Sequence, residues 1–486
     1  MILRKCMFKS FFLNKNNSLI LIILILAFFL RYYNFDKYGY WMDEYWGTFY
    51  LSNPELSFSE LQNRIIDFGE FQFGMPEPTP IYYYYLLNLF FEIFGYNPEN
   101  GRIFSILFSF TSVIFFFFTC KLITTKFNSI TSLVLISFNI FLIWEAQEAR
   151  IQSLNLFFVS LNLYLFCYLY FKKLNFLISI LYILSNIIML SIHPLTAPII
   201  LANSIFLIIK RNESSVNILL QIFVSGIIYL FLNFEYIFDR ISVDEYIHHS
   251  KLSLPFFYSY HFKTFFGNIY FGAINLFLIL ILILILKFQL IKNKNIFYLT
   301  ILIVITYFSL LFISLVFQPV MHPRYKIYIV PIILIWITVS IDYLEFKKKN
   351  IIIFFYVFLT ITNYFIFYDD RHIKKPNVNE PLKIILNSDI KKMYLINYVH
   401  AGHYEEYFKK KKIVSRSVIE LLDKKDIDQT NFWVLCVDDV ASFSLEQISE
   451  YRNKYDCFPK FLNQDNYKNL KLNKFERTRL NFYVKK

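Results

Sequence analysis

Residues 25–46 read ILAFFLRYYNFDKYGYWMDEYW, and the fold turns on how this stretch is taken. Its first six residues close an apolar run of helix length. Arg31 follows, and an aromatic spacer then leads to the adjacent carboxylates Asp43 and Glu44. A solvated pair inside an interfacial aromatic belt gives this pattern, because Tyr and Trp rings settle where lipid meets water. Reactive carboxylates held at the bilayer surface give it equally well. The rest of the chain has to separate the two.

The 486 residues are 56% hydrophobic and only 17% charged, with a mean hydropathy of +0.44. Apolar runs recur along most of the length, which reads as an all-α polytopic membrane protein. The runs are continuous rather than alternating, so a spanning barrel does not fit, and helices can satisfy their own backbone groups in lipid. About eleven spans are expected, centred on 18–33, 101–120, 128–144, 152–171, 175–191, 195–209, 215–233, 268–286, 296–317, 326–344 and 350–367. With 10 glycines in all, close small-residue packing cannot run through every helix pair.

Basic residues give the orientation. Arg4/Lys5/Lys9/Lys15, Lys121/Lys126, Lys172/Lys173, Lys210/Arg211, Lys287/Lys292/Lys294 and Lys347/Lys348/Lys349 fall at every second connection, so that side is cytoplasmic. The net charge of +13 is then a topology signal, and no single soluble face collects it for nucleic acid. The first apolar run has no small-residue cleavage site and reads as a retained helix. The expected layout is a transmembrane domain over 1–368, including a first outer loop at 34–100, and a small extracytoplasmic α/β domain over 369–486. The N-terminus is cytoplasmic and the chain a multi-pass protein of the inner (plasma) membrane. The tail domain rests on apolar stretches such as KMYLINYV (392–399) and NFWVLCVDD (431–439), alternating with helical patterns such as SRSVIELLDKK (415–425). Cys436 and Cys457 both lie in this tail, where a disulfide is permitted; two free thiols suit the sequence as well.

The unusual residues gather on the outer side. Loop 34–100 is acidic, and its second half, PEPTPIYYYYLLNLFFEIFGYNPENGR (76–102), holds an apolar helix. Counting that helix as a span would invert every later loop, so it is expected to lie in the interface plane. WEAQEARIQS (144–153) brings Glu145, Gln147, Glu148 and Arg150 to the mouth of two helices. SIHPLTAP (191–198) carries His193, segment 234–267 carries His248, His249 and His261, and FQPVMHPRYKIY (317–328) carries His322, Arg324 and Tyr325.

Carboxylates and arginines at one membrane face suit a defined chemistry. A sugar carried on a lipid phosphate already has a good leaving group. What remains is a base for the acceptor hydroxyl and cations for the departing phosphate. Arginine supplies the second by bidentate contact. No nucleotide site is needed, and no phosphate-cradling glycine loop or internal repeat is present.

The stretch 25–46 resembles the first helix and outer loop of the GT-C glycosyltransferases, and more narrowly the bacterial group related to aminoarabinose transferase and protein O-mannosyltransferase. PTPIYYYYLLNLFFEIFGYNPENGRIFSILFS (78–109) is similar to that family's Pro-Pro-Leu-Tyr-Tyr helix, EAQEARIQSL (145–154) to its Ala-Gln-Glu-Ala-Arg element, and HPRYKIYIVPIILI (322–335) to its late Arg-Tyr segment. The ordered set over about residues 20–340 is more specific than any piece of it.

The resemblance implies Asp43 as catalytic base with Glu44 supporting it. It implies substrate-binding roles for Glu77, Tyr82, Glu148, Arg150, His193, His322, Arg324 and Tyr325. Arg150 and Arg324 match residues near the lipid phosphate, although arginines that anchor headgroups occupy the same positions. Arg31 and Arg102 read as anchors or as partners of the acidic loop. Many relatives place His before the Pro-Pro pair; here Glu77 precedes Pro78-Thr79-Pro80. No cofactor is required outright. A divalent metal ion is an option that some GT-C enzymes use, and Asp43, Glu44, Glu77 and His193 could supply ligands without any close ligand spacing. The implied partners are the membrane, a polyprenyl-phosphate-linked sugar and a lipid, glycan or protein acceptor. The competing class is a transporter or flippase for lipid-linked glycans, which calls for charges in mid-span and inverted halves. A noncatalytic assembly protein on the same scaffold would have lost the Asp-Glu pair.

Overall fold

The computed structural model describes residues 15–37, 40, 44–73, 80–172, 174–234, 261–287, 289–317, 320–344, 349–370, 377, 379–390, 392–397, 414–417, 431–437, 467–475 and 478–485. Asp43, Glu77, His248 and His249 lie outside these residues. Contacts divide the chain into two compact units, Met1–Tyr33 with Leu51–Tyr368, and Asn34–Tyr50 with Asp369–Lys486.

The first unit is helical. Its elements are α1 (Lys15–Tyr32), α2 (Phe58–Phe73), α3 (Ile81–Phe94), α4 (Pro98–Ile123), α5 (Lys126–Phe138), α6 (Ile140–Ala146), α7 (Ile151–Phe171), α8 (Phe176–Ile192), α9 (Ala197–Ile209), α10 (Ser215–Leu232), α11 (Lys263–Phe266), α12 (Ile269–Leu286), α13 (Gln289–Lys292), α14 (Lys294–Val316), α15 (Ile329–Asp342) and α16 (Lys349–Phe367). Every apolar segment expected to span is helical here. Among the described residues six helices (α4, α7, α10, α12, α14 and α16) are long and apolar enough to cross a membrane. The pair α5–α6 makes a seventh, broken span bent by 56°, and α1, α8, α9 and α15 are shorter apolar helices.

Local rules account for the ends. Asn97, Thr125, Asn175, Asn268 and Asn293 cap helix N-termini through their side chains. Helix α2, which the hydropathy pattern passes over, opens on a capping box: Glu60 Oε2 accepts from Ser57 N at 2.8 Å, and Ser57 Oγ accepts from Glu60 N at 3.4 Å. Helix α3 stops at Gly95, whose φ of +97° suits glycine.

The core centres on α15, which is buried from Ile329 to Ile341. It packs against α5, α12, α14 and α16. By contrast Phe231, Phe277, Phe308 and Phe354 on the surrounding helices stay exposed, as suits side chains that meet lipid. Polar side chains link the buried faces: Asn162 Nδ2 donates to Asn186 Oδ1 at 2.8 Å, Tyr298 Oη to Asn203 Oδ1 at 2.9 Å, and Trp336 Nε1 to Thr300 Oγ1 at 2.9 Å.

The second unit holds a five-stranded mixed sheet of β1 (Lys392–Asn397), β2 (Val414–Ser417), β3 (Phe432–Val437), β4 (Tyr467–Phe475) and β5 (Thr478–Lys485), in the order β2-β1-β3-β5-β4. Strand β1 runs parallel to β2 and β3, while β5 is antiparallel to β3 and to β4. Helix α17 (Asn379–Leu386) packs against β4. The two expected strands are β1 and β3. The expected helix at 415–425 begins instead as β2, and its remainder lies outside the described residues. Within this unit Tyr40, Glu44, Thr48 and Phe49 are buried, and Glu44 precedes a π-helical turn over Tyr45–Tyr50. Cys436 is disulfide-bonded; Cys457 lies outside the described residues.

Candidate active site

The broken span builds the site. Asn139 adopts an extended backbone (φ −67°, ψ 117°) between α5 and α6. Its side-chain oxygen accepts from Leu142 N at 3.0 Å, and its Nδ2 donates to Phe265 O at 3.1 Å. The break takes the carbonyls of Ile136 and Ser137 out of a continuous ladder, and non-helical backbone at membrane depth needs partners from the protein. Arg31 supplies them. Its guanidinium, fully buried, donates to Ser137 O at 3.4 Å, Ile136 O at 3.5 Å, Ala27 O at 3.0 Å and Ser109 Oγ at 3.0 Å. Arg31 is thus neither a headgroup anchor nor a partner of acidic loop residues. It holds helix backbone.

The far end of α6 is fixed as firmly. Gln147 Nε2 donates to Tyr33 O at 2.9 Å, Arg31 O at 3.1 Å and Tyr368 Oη at 3.2 Å, and Trp144 Nε1 donates to Tyr368 O at 3.1 Å. Glu145 and Glu148 flank this anchored residue and are both buried. Arg324 meets them: its Nε lies 3.4 Å from Glu145 Oε1 and its Nη2 3.4 Å from Glu148 Oε2. One guanidinium fork therefore spans two carboxylates, a geometry that lysine could not reproduce.

Arg324 belongs to a 3-10 turn, Pro323–Lys326, that leads into the buried helix α15. His322 caps the turn, its Nδ1 accepting from Arg324 N at 3.2 Å. The Tyr325 ring lies 5.6 Å from the His322 ring and 5.8 Å from that of His193. His193 ends α8 and opens a second 3-10 turn, Pro194–Thr196, and Tyr328 Oη donates to Leu195 O at 2.9 Å to join the two turns. The Nδ1 of His193 is buried and without a hydrogen-bond partner, and burial lowers this histidine to about 4.

Two further groups complete the cluster, and sequence reasoning passed over both as site residues. Lys326 is fully buried; its Nζ donates to Met321 O at 2.9 Å and to Met321 Sδ at 3.2 Å, and lies 5.5 Å from the Tyr307 ring centroid. Burial holds its amine well below the ordinary lysine value. His261 is also buried, 5.9 Å from the same tyrosine ring. Burial first, then the charges of Lys326 and His322, push it far down. The signal for Lys326 was present: a lysine at the mouth of an otherwise apolar helix is costly unless it has work to do.

The structure thus brings together Glu148, His193, His322, Arg324 and Tyr325, with Glu145, His261 and Lys326 beside them. Arg150 is half-buried at the N-cap of α7, its N–H bonded to Glu148 O at 2.9 Å. Tyr82 is half-buried on α3, which packs against α8, the helix that ends at His193. Glu44 is buried in the second unit. Of the four metal-ligand candidates, Asp43 and Glu77 lie outside the described residues; among the described residues no three His, Cys, Asp or Glu side chains group as a metal site.

No family model matches the chain. An uncharacterized protein of Aquifex aeolicus is 27% identical over 177 residues, 36% of this chain, and the match spans about a third (34%) of that curated relative's length. Among solved structures the chain is similar to ArnT from Cupriavidus metallidurans bound to undecaprenyl phosphate, with a TM-score of 0.52 at 9% identity over 95% of this chain and 97% of that one. It is also similar to the Archaeoglobus fulgidus oligosaccharyltransferase tethered with an acceptor peptide, with a TM-score of 0.50 at 11% identity over 98% of this chain and 75% of that one. At these identities the likeness is one of fold, which in this chain is a polytopic helical membrane unit with a small α/β domain.

Proposed function

We propose that this chain is an integral-membrane glycosyltransferase that moves a sugar from a polyprenyl-phosphate donor to an acceptor hydroxyl outside the cytoplasm. The observation that carries the reading is the gathering of Arg324, Tyr325, Glu148 and His193 on turns at the entrance to a buried helix. It occurs within a fold shared with an ArnT structure that holds undecaprenyl phosphate. The acceptor oxygen forms a bond to the anomeric carbon as the bond from that carbon to the phosphate oxygen breaks. The bonding pair leaves with the polyprenyl phosphate, inverting the anomeric centre. Asp43 takes the acceptor proton, with Glu44 supporting it. Arg324, Arg150 and the Tyr325 hydroxyl hold the departing phosphate, where charge develops. Glu145 and Glu148 fix the Arg324 fork. Glu77, Tyr82, His193 and His322 serve substrate binding.

The alternating lysine and arginine loops support an N-terminus in the cytoplasm and residues 369–486 outside it, with the chain in an inner (plasma) membrane. The disulfide at Cys436 supports an oxidising compartment for that domain. The acceptor is a lipid, a glycan or a protein hydroxyl.

The test is turnover of purified protein with a panel of polyprenyl-phosphate sugars and hydroxyl acceptors, comparing wild type with Asp43→Asn. A drop of at least about a hundredfold in the variant is expected of a lost general base. Equal rates would remove Asp43 from that role.

A further inference from the structure

Three helices that reach the candidate site at one end meet again at the other. Helix α7 begins beside Glu148 and ends at Phe171, α9 follows the His193 turn and ends at Ile209, and α14 begins at Lys294 and leads toward the Arg324 turn. The 21 residues of α7 separate the two ends by about 30 Å, the thickness of a bilayer core. Polar contacts tie the far ends together. Tyr170 Oη donates to Lys210 O at 2.6 Å, and Asn212 Nδ2 donates to Tyr170 O at 3.0 Å. The rings of Tyr170 and Phe206 lie 4.9 Å apart, and those of Phe206 and Phe297 6.3 Å. Two ammonium groups border this ring cluster. Lys294 Nζ is 5.1 Å from the Phe171 centroid and 5.7 Å from that of Tyr170, and Lys210 Nζ is 5.1 Å from that of Phe297.

Sidedness alone asks for positive charge in these connections and leaves its placement open. Here both amines are drawn over rings at the membrane edge rather than extended into water. Lys294 is the first residue of α14, where the helix dipole disfavours a cation. Among the described residues no carboxylate comes within 4.0 Å of Lys172, Lys210, Arg211 or Lys294, although Glu213 stands on the same loop as Arg211. Leading up to Lys210, α9 exposes Leu201 and Ile208, two turns apart on one face. Cations without a carboxylate at the end of an exposed apolar face match an amphiphile with an anionic head.

We propose that Lys210 and Lys294 bind the headgroup of an anionic phospholipid, whose acyl chains lie along the Leu201–Ile208 face of α9. Lys172 and Arg211 are exposed neighbours of Phe171 and Lys210 in the chain and add to the local charge. The lipid phosphate accepts charge-assisted hydrogen bonds from the amines. A zwitterionic headgroup carries its own cation and gains less from them. The site lies at the membrane face opposite the Arg324 turn and does not depend on the glycosyltransferase reading.

The experiment titrates the full-length protein, purified in detergent, with phosphatidylglycerol or phosphatidylcholine of the same acyl chains, and counts bound lipid by native mass spectrometry. Wild type is compared with Lys210→Gln/Lys294→Gln, with Lys210→Arg/Lys294→Arg, and with Lys121→Gln/Lys126→Gln, which removes equal charge from the α4–α5 connection. Wild type should bind phosphatidylglycerol at least about tenfold more tightly than phosphatidylcholine. Lys210→Gln/Lys294→Gln should lose at least about tenfold of that affinity, while the arginine pair and the Lys121/Lys126 pair stay within a few-fold of wild type. A lipid-free melting midpoint for the glutamine pair within a few degrees of wild type is expected, because exposed cation–ring contacts add little to stability. Equal affinity for the two lipids, or for wild type and Lys210→Gln/Lys294→Gln, overturns the proposal. An equal loss in Lys121→Gln/Lys126→Gln overturns it as well, since the charge would then act without a site. Displacement of phosphatidylglycerol by an equal concentration of inorganic phosphate would assign the cations to a soluble anion and overturn the lipid.

Discussion

Arg324 pairs with two buried carboxylates, and removing it takes away their shared cation. Arg324→Ala is expected to destabilise the protein by about 3–5 kcal/mol, the usual cost of breaking a buried ion pair. Arg324→Lys should lose less, because it keeps the charge but reaches only one carboxylate. Denaturation of the detergent-solubilised protein reads both, and a wild-type melting curve for Arg324→Ala would deny the pairing any weight. His193 makes a second residue-scale prediction. Its folded value of about 4 lies below the free histidine value, so the unfolded chain binds more protons between about 6.5 and 4. Its contribution is complete above about 6.5 and is lost as pH falls through that window, by up to about 3 kcal/mol. Melting curves at pH 7.5 and pH 4.5 should show less acid loss for His193→Asn than for wild type; identical losses would contradict it. Glu148 and Arg324 were legible because they sit in ordered motifs beside helix ends. Lys326 showed only as a costly charge at the mouth of an apolar helix, and His261 did not show at all, since a sequence gives no sign of which side chains turn inward.

At the scale of elements, the bend between α5 and α6 decides where Glu145 and Glu148 go. Asn139→Ala removes a cap and is expected to cost about 1 kcal/mol. Arg31→Met strands the Ile136 and Ser137 carbonyls and should cost more, about 2–3 kcal/mol. If Arg31→Met melts no lower than Asn139→Ala, Arg31 does not hold the break. Hydropathy placed the segment 128–144 correctly and could not reveal the bend, because one asparagine in an apolar run reads equally as a cap or a core polar group. The helices are apolar on all sides, so periodicity says little about burial; nothing in IVPIILIWITVSID marks α15 as the central helix. In the tail, β4 escaped notice because YKNLKLNKF (467–475) is rich in lysine and asparagine, residues that strands seldom favour, and its pairing with β5 supplies what propensity does not.

At the scale of the molecule, the alternation of basic loops makes a prediction about sidedness. A membrane-impermeant thiol reagent applied to intact cells should label Lys474→Cys, on an exposed position of β4, and spare Arg211→Cys between α9 and α10. The reverse pattern would invert the topology and with it the proposed side of transfer. The positions of the apolar helices followed from hydropathy, whereas the convergence of α6, the His193 turn and the Arg324 turn needed the fold, because Arg324 lies more than a hundred positions from the other two.

The most direct test is stoichiometry in a closed system. Purified protein is reconstituted in vesicles with a labelled polyprenyl-phosphate sugar and a hydroxyl acceptor, and both products are counted. One polyprenyl phosphate released for each acceptor glycosylated, in wild type and not in Asp43→Asn, is the expected result. Labelled donor that crosses the bilayer intact while no acceptor is glycosylated would contradict the account and place the chain among transporters.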